Sequence, residues 1–227
     1  NSLESEWLAR AAQDTGTIAY IRPPQHVFDE RTPVPNIEMY RALIQSVRGQ
    51  GFTGLYLAGM PWPFADEQYQ VLREAAYPET VEHRNKRYIL APKETGTYYS
   101  SPSDRQLPIE LQEGVTHTIP VRVADDLEPA RADGELRRPV LTVWFSDLCA
   151  DDEIEVRFNG VQLSLADAEV IDEGAATIAS KRISVDDRWG YNSHWYQFTL
   201  EDGVLRQGEN TLQIGTKHHE GTAGFSR

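Results

Sequence analysis

The chain has a single cysteine, Cys149, in 227 residues. That excludes an internal disulfide and any zinc site built on cysteine pairs. It has no apolar run approaching the roughly 20 residues a membrane helix needs. Positive charge is also scarce: 22 Lys and Arg stand against 35 Asp and Glu, a net charge of −13. This argues against a nucleic-acid partner, because a protein that displaces counterions from phosphates carries a basic stripe. No phosphate loop, HExxH string or Ser-His-Asp order is present. There are no internal repeats and no low-complexity tracts.

The abundant acids are bunched, at Asp125-Asp126-Leu127-Glu128 and at Asp151-Asp152-Glu153. Runs of this kind are solvated turns in most proteins and calcium ligands in a few. A structural calcium is therefore the one cation left open, and no other cofactor or metal is expected.

The texture changes near Lys86. Before it, helix-period and continuous apolar segments alternate. Leu3 to Ala12 puts Leu3, Trp7, Leu8 and Ala11 on one helical stripe. Thr17 to Ile21 is a short β-rich run stopped by Pro23-Pro24. A second helix begins at about Asn36, with Ile37, Tyr40, Leu43, Ile44 and Val47 on one face. Phe52 to Met60 is an unbroken apolar run, the pattern of a parallel strand covered on both faces. A third helix is expected over Asp66 to Tyr77. This order suits the last quarter of a (β/α)8 barrel.

After Lys86 the period is two. Strands are expected at 87–91, 115–123, 139–145, 153–159, 161–165, 177–185, 194–200 and 210–215. Ile154, Val156 and Phe158 alternate with charged residues, and Asn159-Gly160 is a strong type I′ hairpin signal. Leu141, Val143 and Phe145 repeat the alternation, as do Tyr196, Phe198 and Leu200. Eight such strands predict an antiparallel sandwich or jelly roll. The expected class is α/β plus all-β, with residues 1–85 as barrel and 86–227 as sandwich.

Specific phrases carry a resemblance. Tyr40-Arg41 with Gly51-Phe52-Thr53-Gly54-Leu55-Tyr56-Leu57 resembles the final barrel helix and strand of glycoside-hydrolase-like bacterial proteins. Ala76-Tyr77-Pro78-Glu79 and Asn85-Lys86-Arg87-Tyr88 are similar to the hinge that follows such barrels. Val156 to Val161 with Leu205 to Leu212 looks like the galactose-binding-like domain appended to many carbohydrate-active enzymes. The resemblance implies the carboxyl-terminal part of a bacterial, extracytoplasmic protein that acts on or binds polysaccharide. The other reading is a non-catalytic carbohydrate-binding or interaction module on a βα platform. The resemblance also implies that the remainder of a barrel, or self-association, covers the open sheet.

In a barrel, active residues follow the strands. That singles out Arg22, Gln25 and His26 after the first strand, and Trp62, Asp66 and Glu67 after the second. Arg22 can clamp an acidic sugar or pair with Asp29 or Glu30. His26 can act as acid or base, or be a plain loop residue. Trp62 can stack on a sugar or plug the barrel mouth, and Asp66 and Glu67 suit a helix start. No carboxylate lies in Ile21 to His26, where many such barrels carry a catalytic acid. Glycosidases use two carboxyls roughly 5–10 Å apart, and no pair stands out, so the chain alone is expected to be inactive.

In the second half, Trp189, Tyr191, Asn192 and Trp195 form an aromatic and polar segment. Trp195 is out of phase with Tyr196, Phe198 and Leu200, and Trp144 with Leu141, Val143 and Phe145. Both therefore belong on a face away from that core, where they either stack on sugar or seal an interface.

Overall fold

The computed structural model describes residues 3–21, 37–57, 66–90, 107, 109–145, 148, 152–171 and 194–218, the side chains of 3–6, 67 and 194 excepted. The first part holds helices α1 (Leu3–Thr15), α2 (Ile37–Gly49) and α3 (Asp66–Ala76), with two-residue strands β1 (Tyr20–Ile21) and β2 (Gly54–Leu55). β1 and β2 pair in parallel, Tyr20 with Gly54 and Ile21 with Leu55. A small core of Ala9, Val47 and Phe52 lies under them, packed by Ala19, Ile21, Leu43 and Leu55. Gly51, with φ of 87°, ends the α2 region where the backbone meets α1. That positive φ favours glycine, and a Cβ there would also displace the end of the Gln13 side chain, 1.8 Å away.

α2 binds α3 through an ion pair as well as through apolar contact. Arg41 donates from Nε and a terminal nitrogen to the two oxygens of Glu74, both at 2.8 Å. Both residues are buried. Such a fork fixes the angle between the two helices more tightly than a point charge would.

The second part contains β3 (Thr116–Val123), α4 (Glu128–Ala132), β4 (Val140–Phe145), β5 (Glu153–Phe158), β6 (Val161–Leu163), β7 (Glu169–Ile171), β8 (His194–Thr199) and β9 (Gly208–His218). They form two antiparallel sheets, in the orders β3-β9-β5-β6 and β4-β8-β7. Ile119, Phe145, Val156, Phe158, Phe198, Leu200, Leu212 and Ile214, drawn from both sheets, make one buried cluster. At the β5–β6 hairpin Asn159 and Gly160 both have positive φ, 50° and 83°, as a type I′ turn requires.

The barrel expectation is overturned. The described residues contain no closed barrel and no barrel-type βα units, and the parallel ladder is two residue pairs long. The reason is exposure. Ile18, Tyr20 and Tyr56, which a barrel would bury, are 70%, 63% and 60% exposed. In the described part of the apolar run, 52–57, Phe52 is buried, Tyr56 is exposed and the strand is two residues long, which is not a doubly covered strand. The stripe expected on α1 is also displaced. Ala9 is its buried contact, while Trp7 and Leu8 are exposed.

The jelly-roll expectation is corrected as well. The described strands form separate sheets of four and three, in a fold of mixed helices and antiparallel sheets. β7 and α4 were not anticipated. Residues 87–90 are not a strand, because Arg87 and Tyr88 are committed to bridging the two halves, as described below. The strand expected at 177–185 lies outside the described residues.

Candidate functional site

The three-stranded sheet has two unlike faces. Leu141, Val143, Phe145, Tyr196 and Phe198 point to the shared core. Alternation sends Thr142 and Trp144 of β4, and Trp195 and Gln197 of β8, to the other face. The register then sorts these residues into rows. Trp144 is opposite Trp195, and Trp195 is opposite Ile171 of β7. Thr142 is opposite Gln197, and Gln197 is opposite Glu169. An apolar row of Trp144, Trp195 and Ile171 thus lies beside a polar row of Thr142, Gln197 and Glu169.

The indole rings have centroids 6.3 Å apart and are tilted by 41°. Both tryptophans are half-buried. Trp195 Nε1 is buried with no hydrogen-bond partner among the described residues. In the polar row, Gln197 Nε2 donates to Glu169 Oε2 at 2.9 Å. Stiff aromatic faces next to amide, hydroxyl and carboxylate groups make a surface suited to a ligand with one apolar face and a polar edge.

A second polar cluster joins the two halves of the chain. Lys86 Nζ is 2.7 Å from Asp125 Oδ1 and donates to the carbonyls of Glu82 and Arg84 at 3.1 and 3.2 Å. Tyr88 donates its hydroxyl to Asp125 Oδ2 at 2.8 Å. The Arg87 amide donates to the Glu38 carbonyl on α2 at 3.0 Å. The Lys86 side chain is 3% exposed. All three ammonium hydrogens have acceptors, so this lysine has no spare donor for chemistry. Burial, then the Asp125 charge, push the Tyr88 hydroxyl well above its ordinary range. The cluster is a structural fastening.

It also settles the role of the first acidic run. Asp125 is engaged by Lys86 and Tyr88, Asp126 Oδ1 accepts from the Glu128 amide at 3.1 Å, and Glu128 pairs with Arg131. The run starts and braces α4. Among the described residues no three His, Cys, Asp or Glu side chains are grouped to hold a metal.

The sequence-selected residues are only partly brought together. Arg22, Gln25, His26, Trp62, Trp189, Tyr191 and Asn192 lie outside the described residues. Asp66 and Glu67 begin α3, and Asp66 is exposed. Trp144 and Trp195 become direct neighbours. Thr142 and Gln197 could have been found from the sequence, since each is two residues from a tryptophan and in phase with it. Glu169 and Ile171 could not, because three residues are too few to show a period.

No protein-family model matches the chain, and no curated protein matches it in sequence. Among the described residues, no helix is long and apolar enough to cross a membrane.

Proposed function

We propose that the chain is a non-catalytic carbohydrate-binding module, and that the ligand rests on the outer face of the β4–β8–β7 sheet. The observation that carries this reading is the cross-strand pair Trp144–Trp195, set beside the row Thr142, Gln197 and Glu169. A pyranose ring offers an apolar face to the indoles and hydroxyls to the polar row. Catalysis is left out of the proposal because glycoside hydrolysis uses two flanking carboxyls, and Glu169 is the one acid on this face among the described residues. A polysaccharide ligand fits an extracytoplasmic setting, as the sequence resemblance implies.

The test is a glycan microarray probed with the chain and with Trp195→Ala. Binding by the parent chain, lost in the variant while the fold persists, supports the reading. Equal binding by both would sink it.

Self-association is a second proposal, carried by a different observation. Trp7, Leu8, Ile18, Tyr20 and Tyr56 are all more than half exposed on α1 and around the β1–β2 ladder. Apolar groups in that number around a ladder with two strands among the described residues favour chain–chain contact.

A further inference from the structure

The outer face of the three-stranded sheet has an uneven distribution of charge. Its described outward positions are Val140, Thr142 and Trp144 on β4, Thr199, Gln197 and Trp195 on β8, and Glu169 and Ile171 on β7. None is a cation and one is an anion. Arg138, two residues before β4, is four residues from Thr142 and so at most roughly 14 Å from the polar row along the chain. Gln197 holds the Glu169 carboxylate by one oxygen, at 2.9 Å, and leaves Oε1 without a partner among the described residues. The two rows are about 7 Å apart along the strands, and the three strands span about 10 Å. A group stacked on the Trp195 ring therefore has its edge within reach of Glu169.

We infer that this surface takes an uncharged glycan, with Glu169 accepting hydroxyl hydrogen bonds and excluding uronate, sialic or sulfated sugars. A carboxylate accepts from neighbouring hydroxyls with both oxygens. The same group repels a ligand carboxylate or sulfate, and no cation at the other described outward positions offsets that repulsion. The chain's net charge of −13 adds a long-range bias in the same direction.

The inference rests on the carbohydrate-binding reading, and one experiment separates the two. A microarray carrying neutral, uronate, sialylated and sulfated glycans is probed with the chain, Glu169→Gln, Glu169→Arg and Trp195→Ala. The parent chain is expected to bind neutral glycans at least tenfold better than anionic ones of the same backbone. Glu169→Gln should narrow that gap, and Glu169→Arg should close or invert it. Glu169 is exposed, so these variants should fold, and far-UV circular dichroism checks that they do. Parent-chain binding to anionic glycans at or above the neutral level overturns the inference alone. So does an unchanged preference in Glu169→Arg. Failure to bind any glycan overturns both this inference and the reading beneath it.

Discussion

The side-chain amide of Asn159, at the tip of the β5–β6 hairpin, donates to Oδ1 of Asn210 on β9 at 2.8 Å. Asn159 also donates to the Val204 carbonyl at 2.7 Å and accepts from the Thr211 amide at 2.8 Å. Asn210 accepts from the Arg206 amide and donates to the carbonyls of Arg206 and Gly208. Two turn motifs, each ordinary alone, are thereby locked together. Asn210 is 1% exposed, so Asn210→Ala strands several buried partners. We expect a loss of about 2–4 kcal/mol, read from urea unfolding at neutral pH. A loss below about 0.5 kcal/mol would show that the lock adds nothing.

Removing one member of the Lys86 cluster should cost more than removing both charges. Lys86→Met leaves the Asp125 carboxylate buried beside Tyr88 alone, which costs about 3–5 kcal/mol. Lys86→Met with Asp125→Leu should recover part of that. Because the Tyr88 pKa is raised, its contribution is full below its usual value of 10.0 and fades as pH rises above it. Tyr88→Phe should flatten the fall in urea midpoint between neutral and strongly alkaline pH. Parallel pH profiles for the parent chain and Tyr88→Phe would count against this account.

Glu74 gives the opposite pH dependence. Burial raises its pKa, but hydrogen bonds from Arg41 and Gln70, with the Arg41 charge, outweigh this and leave it lowered. A lowered carboxylate stabilises the fold fully above its usual value of 4.5, and that stability is lost as pH falls below it. Glu74→Gln should be less stable than the parent at pH 7 and should lose less on acidification toward pH 3. The check is the thermal midpoint measured at intervals across that range.

Trp195→Ala and Trp144→Ala should each abolish glycan binding and lower stability by no more than about 1.5 kcal/mol, since both rings are half-buried and outside the core. Phe198→Ala serves as the contrast. It lies in the shared core at 4% exposure and should cost about 3–5 kcal/mol. Losses of similar size at Trp195 and Phe198 would make Trp195 a packing residue.

The exposed apolar side chains of α1 and the β1–β2 ladder predict association at micromolar concentration. Sedimentation velocity should show a shift with concentration that Tyr20→Lys with Tyr56→Lys reduces. A clean monomer at every concentration would remove this proposal.

The antiparallel part was largely legible in the sequence because its strands alternate. Leu141, Val143 and Phe145 of β4, and Ile154, Val156 and Phe158 of β5, mark one buried face without ambiguity. The same phase argument put Trp144 and Trp195 on the far face. Their pairing is a matter of register between distant strands, which neither segment states alone. The first half misled because a continuous apolar run reports hydrophobicity and not the number of covered faces. Phe52 is buried and Tyr56 is exposed within that one run. Arg41 looks like a surface helix residue until Glu74 on α3 is placed against it.

β9 is the last described strand, yet it sits between β3 and β5 with partners on both sides. Its eleven residues supply the ladder that joins them. During synthesis β3 and the β5–β6 hairpin therefore leave the ribosome with no pairing between them, and must wait for β9 to join them. Until then Ile119, Val156 and Phe158 have no completed sheet to close over them. Such distant pairing slows folding. A chain that ended after β6 and before Gly208 would leave β3 and the β5–β6 hairpin with unpaired edges in place of one sheet.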